Sequence, residues 1–206
     1  MRAMDLNLDA LYVRQRLTAF VNRYEVYGPD EQTLVAFCQQ RRFALREDLR
    51  FYSNEDMHTE VLRVQARRVV DIGGRYDVTE PDGTRVGSLE RRAGRSLLRT
   101  TWALLDPDGH ELAWLQERNV AAAAFRRIQN VIQLIPIIGL VSIVFDLIPI
   151  PYHFDVRVGD RIVGGHTRIR GWRDRYRMVI DGDPERRIDR RLVLAIAVAL
   201  DALQSR

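Results

Sequence analysis

Lysine is missing from this chain: all 32 of its basic residues are arginine. Biased codon usage accounts for such a composition. The sharper reading is that guanidinium was selected for two-pronged contacts with phosphate. Cysteine occurs once, at Cys38, which excludes an internal disulfide. In "TLVAFCQQ" it reads as a small core or sheet residue, compatible with a reducing compartment. The four histidines, His58, His110, His153 and His166, are scattered, and no C-x-x-C or H-x-x-x-H spacing occurs, so no metal site is expected. The paired acids of "DPDGHE" and "DGDPE" fall short of a calcium loop's ligand count and suit turn and helix-cap roles.

Catalytic signatures are missing too. There is no nucleophile elbow and no phosphate loop, so neither an enzyme nor a cofactor is expected. The pair Gly164–Gly165 is no dinucleotide fingerprint and reads as a bulge or a close approach of backbones. The N-terminus has no continuous apolar run and no small-residue cleavage site, so a cytoplasmic chain without a signal peptide is expected. Strong charge imbalance is also absent: 28 acidic residues leave a net charge of +4, which counts against a dedicated nucleic-acid binder.

What is present suits one globular domain over residues 1–206, with 46% hydrophobic and 29% charged residues. From Leu11 to about Gln116 the chain reads as short strands. Runs such as "RYEVY", "TLVAF", "LRFYS", "EVLRVQ", "TWALL" and "ELAWLQ" alternate with turn signals at "GPD", "NED", "PDG" and "DPDG". The runs also repeat. "YEVYGPDEQTLVAFCQQ" from Tyr24 aligns with "YDVTEPDGTRVGSLERR" from Tyr76, and "LREDLRFYSNEDMHTEVLRVQ" with "LLRTTWALLDPDGHELAWLQ". A partial third copy, "FDVRVGDRIVGGHTRIR", starts at Phe154. The offset of about 52 residues is too long for a solenoid repeat and suits a duplicated unit of four or so strands in a closed sheet.

The last element, "DPERRIDRRLVLAIAVALDALQSR", is a helix with Asp183 and Asp189 as possible caps and Pro184 in a first turn. Its run from Leu192 to Leu200 is apolar all round, so it must be buried on every side, yet it is too short to span a bilayer. A barrel of about a dozen strands leaves a lumen that needs filling, and a helix about 10–12 Å across fits it. Leu192, Val193, Leu194, Ile196, Val198, Leu200 and Leu203 are therefore expected to plug the barrel, with Asp201 near one mouth, within reach of water or an arginine.

A closed antiparallel barrel of about 12 strands around a hydrophobic C-terminal helix resembles the tubby C-terminal-like superfamily. That superfamily includes the tubby proteins, the phospholipid scramblases and the LURP-one-related proteins. The resemblance is carried by "LYVRQRL", by the repeats, by "DRYRMVIDGD" and by "DRRLVLAIAVALDAL", and covers the chain except about residues 119–151. It implies phosphoinositide binding, phospholipid movement between leaflets or no settled biochemical role, and no enzyme chemistry. The calcium-binding segment and cysteine-rich acylation cluster of eukaryotic scramblases have no counterpart, so calcium-triggered scrambling is not expected.

The most apolar stretch is "VIQLIPIIGLVSIVFDLIPIP", residues 131–151, inside an insertion at about 120–151. It is long enough to span, but Pro136, Asp146, Pro149 and Pro151 oppose a simple crossing. A crossing would also put the plug helix on the wrong side of the membrane from the strands it fills. The segment is therefore expected to be a shallow membrane-surface hairpin, with packing on the barrel or a dimer contact as the next alternative and a true span as the last. Its membrane-contact residues would be Leu134, Ile135, Ile137, Ile138 and Leu140 in the first arm, and Val141, Phe145, Leu147 and Ile148 in the second. Arg126 and Arg127 just before it would meet anionic headgroups. In "TRIRGWRDRYR", Arg168, Arg170, Arg173 and Arg175 form a candidate phosphate-contacting patch, although strand alternation alone would set such arginines outside. The expected function is a cytoplasmic, peripherally membrane-associated phospholipid-binding module. The alternatives are a scramblase-like transporter and a structural module that homodimerises through the apolar hairpin.

Overall fold

The computed structural model describes residues 6–17, 21–41, 47–67, 74–93, 100–118, 153–169 and 175–203. Among the described residues twelve strands precede one helix. They are β1 (Ala10–Leu17), β2 (Val21–Tyr27), β3 (Leu34–Arg41), β4 (Asp48–Tyr52), β5 (Glu60–Ala66) and β6 (Arg75–Thr79). β7 (Arg85–Ala93), β8 (Thr100–Leu105), β9 (Glu111–Glu117), β10 (His153–Val158), β11 (Arg161–Ile169), β12 (Arg175–Ile180) and α1 (Arg190–Ala202) follow. Each strand pairs antiparallel with its neighbours in sequence, and β1 closes the ring on β12.

Alternation along each strand sorts the side chains between lumen and solvent. In β4, Leu49 and Phe51 are buried while Asp48 and Arg50 pair outside at 2.9 Å. In β6, Tyr76 and Val78 face in, and Asp77 meets Arg67 at 2.8 Å and Arg85 at 3.2 Å. A charged wall around an apolar lumen is the inverse of a membrane-spanning barrel, whose outside carries an apolar band.

The internal repeat is visible in the register. Tyr24 faces Cys38, Tyr76 faces Leu89 and Phe154 faces His166 across equivalent hairpins. Two residues beyond each aromatic, at Val26, Val78 and Val156, the pairing shifts by a bulge. The residues opposite those valines are Ala36, Gly87 and Gly164. A second bulge recurs at Phe51/Tyr52 and Leu104/Leu105. The barrel is three four-stranded units: β2–β5, β6–β9, and β10–β12 completed by β1. Bulges raise local twist and curvature, which a closed sheet requires.

The helix fills the lumen. Leu192, Val193, Leu194, Ile196, Val198, Leu200 and Leu203 are none of them more than 3% exposed. Burying each such side chain contributes about 1.5–3 kcal/mol. Small residues let strands and helix approach. A Cβ on Gly87 would lie 2.2 Å from the Leu105 carbonyl oxygen and 3.2 Å from both Leu192 methyls. Asp189, not Asp183, caps the helix, accepting from the Arg191 amide at 2.8 Å. Asp183 and Pro184 instead form the approach to it, where Asp183 accepts from the Ile188 and Arg187 amides. The first helical residue, Arg190, is 3% exposed and bridges Asp183 and Asp9, both at 2.8 Å.

Candidate functional site

Antiparallel order sends alternate connections to opposite ends of the barrel. At one end lie the turns 28–33, 53–59, 80–84, 106–110 and 159–160 and the approach to the helix, 181–189. Carboxylates crowd this acidic end: Asp30 and Glu31, Glu55 and Asp56, Glu80 and Asp82, Asp106 and Asp108, then Asp160, Asp181 and Asp183. The arginines within these turns, Arg186 and Arg187, are ion-paired with Asp9 and Glu185. Several of the acids close their own turns. Asp30 accepts from the Thr33 amide at 2.9 Å, Asp82 from the Thr84 amide at 2.8 Å and Asp106 from the His110 amide at 2.8 Å. The Thr33 hydroxyl and amide hold the Asp30 carboxyl below the usual carboxylate range, and the Thr84 amide does the same at Asp82; at Asp106 burial pushes the group up, but the His110 amide and ring outweigh it. Asp106, Asp108 and His110 have ligand atoms within 4.8 Å of one another, on an exposed turn whose geometry these bonds already explain.

The other end receives the C-terminus of α1 and the long connection between β9 and β10. The Arg118 amide donates to the His153 carbonyl at 2.8 Å, and Glu117 pairs with Phe154. The chain therefore departs toward residues 119–152 and returns from them on adjacent strands of one rim. A polar layer seals the lumen beneath. Gln40 donates to the Ala202 carbonyl at 2.8 Å and accepts from Asn22 at 3.0 Å. Tyr24 donates to Asp201 at 3.0 Å, and the Tyr176 hydroxyl donates to its other oxygen. Tyrosine hydroxyls thus hold Asp201 at this mouth, where the residue is half-buried. Burial and the Asp201 charge push the Tyr24 phenol far above its ordinary pKa. The His166 ring stacks on Tyr176 with centroids 5.4 Å apart, and burial pushes its pKa down to about 4.

Of the arginine patch, Arg168 and Arg175 are described; Arg170 and Arg173 lie outside the described residues, as do Arg126 and Arg127. The apolar positions Leu134, Ile135, Ile137, Ile138, Leu140, Val141, Phe145, Leu147 and Ile148, and the whole insertion, also lie outside them. Arg168 and Arg175 stand on different faces. Arg175 is exposed on the outer wall, whereas Arg168 pairs with Tyr176 on the lumenal register. The bulge at Val163, set between Gly164 and Ile162, moves the alternation by one residue. It leaves Ile162 50% exposed and turns His166 and Arg168 inward.

Sequence reasoning missed two exposed arginines of this end, Arg23 near the start of β2 and Arg91 near the end of β7. Sorting the turns by parity would have found them. Among the described residues no helix is long and apolar enough to cross a membrane.

Comparison with curated proteins and with solved structures finds no match. The sequence model of the LURP-one-related family matches residues 34–201, from β3 to the last turn of α1, and that family has the tubby-like fold. On that match and on its plugged twelve-stranded barrel, the chain belongs to the LURP-one-related family.

Proposed function

We propose that this protein is a non-enzymatic, membrane-associated phospholipid-binding module. The observation that carries the reading is topological. The chain leaves β9 and re-enters β10 on neighbouring strands of one barrel end, and the sequence between them holds the most apolar stretch, 131–151. The lumen is already occupied by α1. An apolar stretch of this length calls for an apolar partner, and a bilayer interface supplies one. Departure and return on one rim fit a hairpin lying at the surface and oppose a single crossing.

A scramblase-like path for headgroups through the barrel is disfavoured: the plug and the Gln40–Ala202 and Tyr24–Asp201 contacts close the lumen. Co-sedimentation with phospholipid vesicles tests the proposal. The full chain pellets with vesicles, deletion of residues 128–151 abolishes pelleting, and the deleted protein keeps its thermal transition. Equal pelleting without the stretch removes the proposal. A change from dimer to monomer on deletion, without lipid binding by either form, supports the homodimer instead.

A further inference from the structure

We infer that the arginine end of the barrel meets an anionic bilayer end-on, with Arg23, Arg91 and Arg175 contacting headgroup phosphates and carboxylates. The inference rests on the membrane reading above and adds the surface, its lipid charge and the stance of the molecule. Among the described residues these three side chains are exposed and have no ion-pair or hydrogen-bond partner. Most other described arginines are engaged: Arg16 with Glu25, Arg67 with Asp77, Arg92 with Glu90 and Arg118 with Asp155. An unengaged guanidinium needs no desolvated protein partner to be given up before it takes a phosphate.

Their positions fix the stance. Arg23 on β2 and Arg175 on β12 flank β1, and Arg91 on β7 lies directly across the ring from β1. A flat surface reaches all three only by facing the mouth; a side-on stance reaches one flank of the wall. Charge agrees with this direction. The opposite end is ringed by carboxylates in every turn, so an anionic surface repels it and attracts the arginine end. The apolar stretch is rooted at the attracted end, at Arg118 and His153. That shared root favours a lipid surface over nucleic acid, which offers an apolar segment no hydrocarbon.

The experiment compares the full chain with R23Q/R91Q/R175Q and with R161Q, which removes an exposed arginine from the acidic end. Vesicles are phosphatidylcholine alone or with roughly one-third phosphatidylserine, at the salt where the Debye length is about 8 Å. Each guanidinium near such a surface is worth about fivefold in affinity, so the triple variant loses on the order of a hundredfold on anionic vesicles. R161Q binds as the parent does, and unchanged circular dichroism and melting temperature show that all variants are folded. Nitroxide labels at Gln39 and Asp82, on a C38A background, then report depth: immersion-dependent broadening appears at the first and not at the second.

Equal binding to both vesicle types, or no loss in the triple variant, overturns the inference and leaves the membrane reading standing. Absence of binding to either vesicle overturns both. Salt-sensitive binding to duplex or single-stranded oligonucleotides, lost in the triple variant and without vesicle binding, assigns the arginine end to nucleic acid instead.

Discussion

His166 occupies the lumenal position that the other two repeat units fill with Cys38 and Leu89. An imidazole there is stable only while neutral, and burial lowers its pKa to about 4 from the ordinary 6.5. The sign of the linkage follows. Above pH 6.5 both folded and unfolded chains hold the ring neutral. As pH falls from 6.5 toward 4, the unfolded chain takes up a proton that the folded one refuses, and stability drops. At pH 5 the loss from this ring is about 2 kcal/mol. H166L installs the residue of the second repeat and removes the ionisable group. Urea unfolding at pH 7 and pH 5 should show a smaller decrease for H166L than for the parent, by about that amount. An identical decrease in both proteins would place the acid sensitivity elsewhere.

At the scale of elements, two contacts decide whether the helix sits in the barrel. Gly87 lets β7 pass Leu192, and G87A drives a methyl into the Leu105 carbonyl oxygen. A destabilisation of about 3 kcal/mol is expected from such overpacking, read as a lower denaturation midpoint. Arg190 anchors the start of α1 between Asp183 and Asp9. Burial pushes the Asp183 carboxyl up, but Arg190 and the Ile188 and Arg187 amides outweigh it and hold the group below its usual range. R190A leaves Asp183 buried beside no cation and should cost about 3–5 kcal/mol, again by denaturant unfolding. R190A with the stability of the parent would mean that the plug is held by its apolar surface alone.

Much of this was legible in the sequence, because alternation, turn residues and an all-apolar helix each have a single cheap structural solution. Tyr24, Tyr76 and Phe154 mark the repeat, and the run from Leu192 to Leu200 has nowhere to go but the lumen. Arg190 was not legible: a charged residue ahead of an apolar run reads as solvated, and only the fold brings Asp9 and Asp183 to it. Arg168 was misplaced by parity for a local reason, the extra residue at Val163. Arg23 and Arg91 carry no motif, and only the ring order sets them across one mouth.

At the scale of the whole molecule, a net charge of +4 conceals a strong polarity, with carboxylates at one end and arginines at the other. Such a distribution orients the protein before contact, over a distance set by ionic strength. Guanidinium does not titrate below pH 12, and His153, at the same rim, is held below its ordinary pKa by burial and by Arg118. The charge of the described arginines and of His153 at this end is therefore expected to stay constant from pH 7 to about 9. Association with phosphatidylserine-containing vesicles should be flat across that range and should weaken at least tenfold as the Debye length shrinks from about 30 Å toward 3 Å. A residual, salt-independent fraction should disappear with residues 128–151, because apolar insertion does not respond to screening. Pelleting that falls with pH but not with salt would mean that groups other than these arginines hold the protein to the membrane.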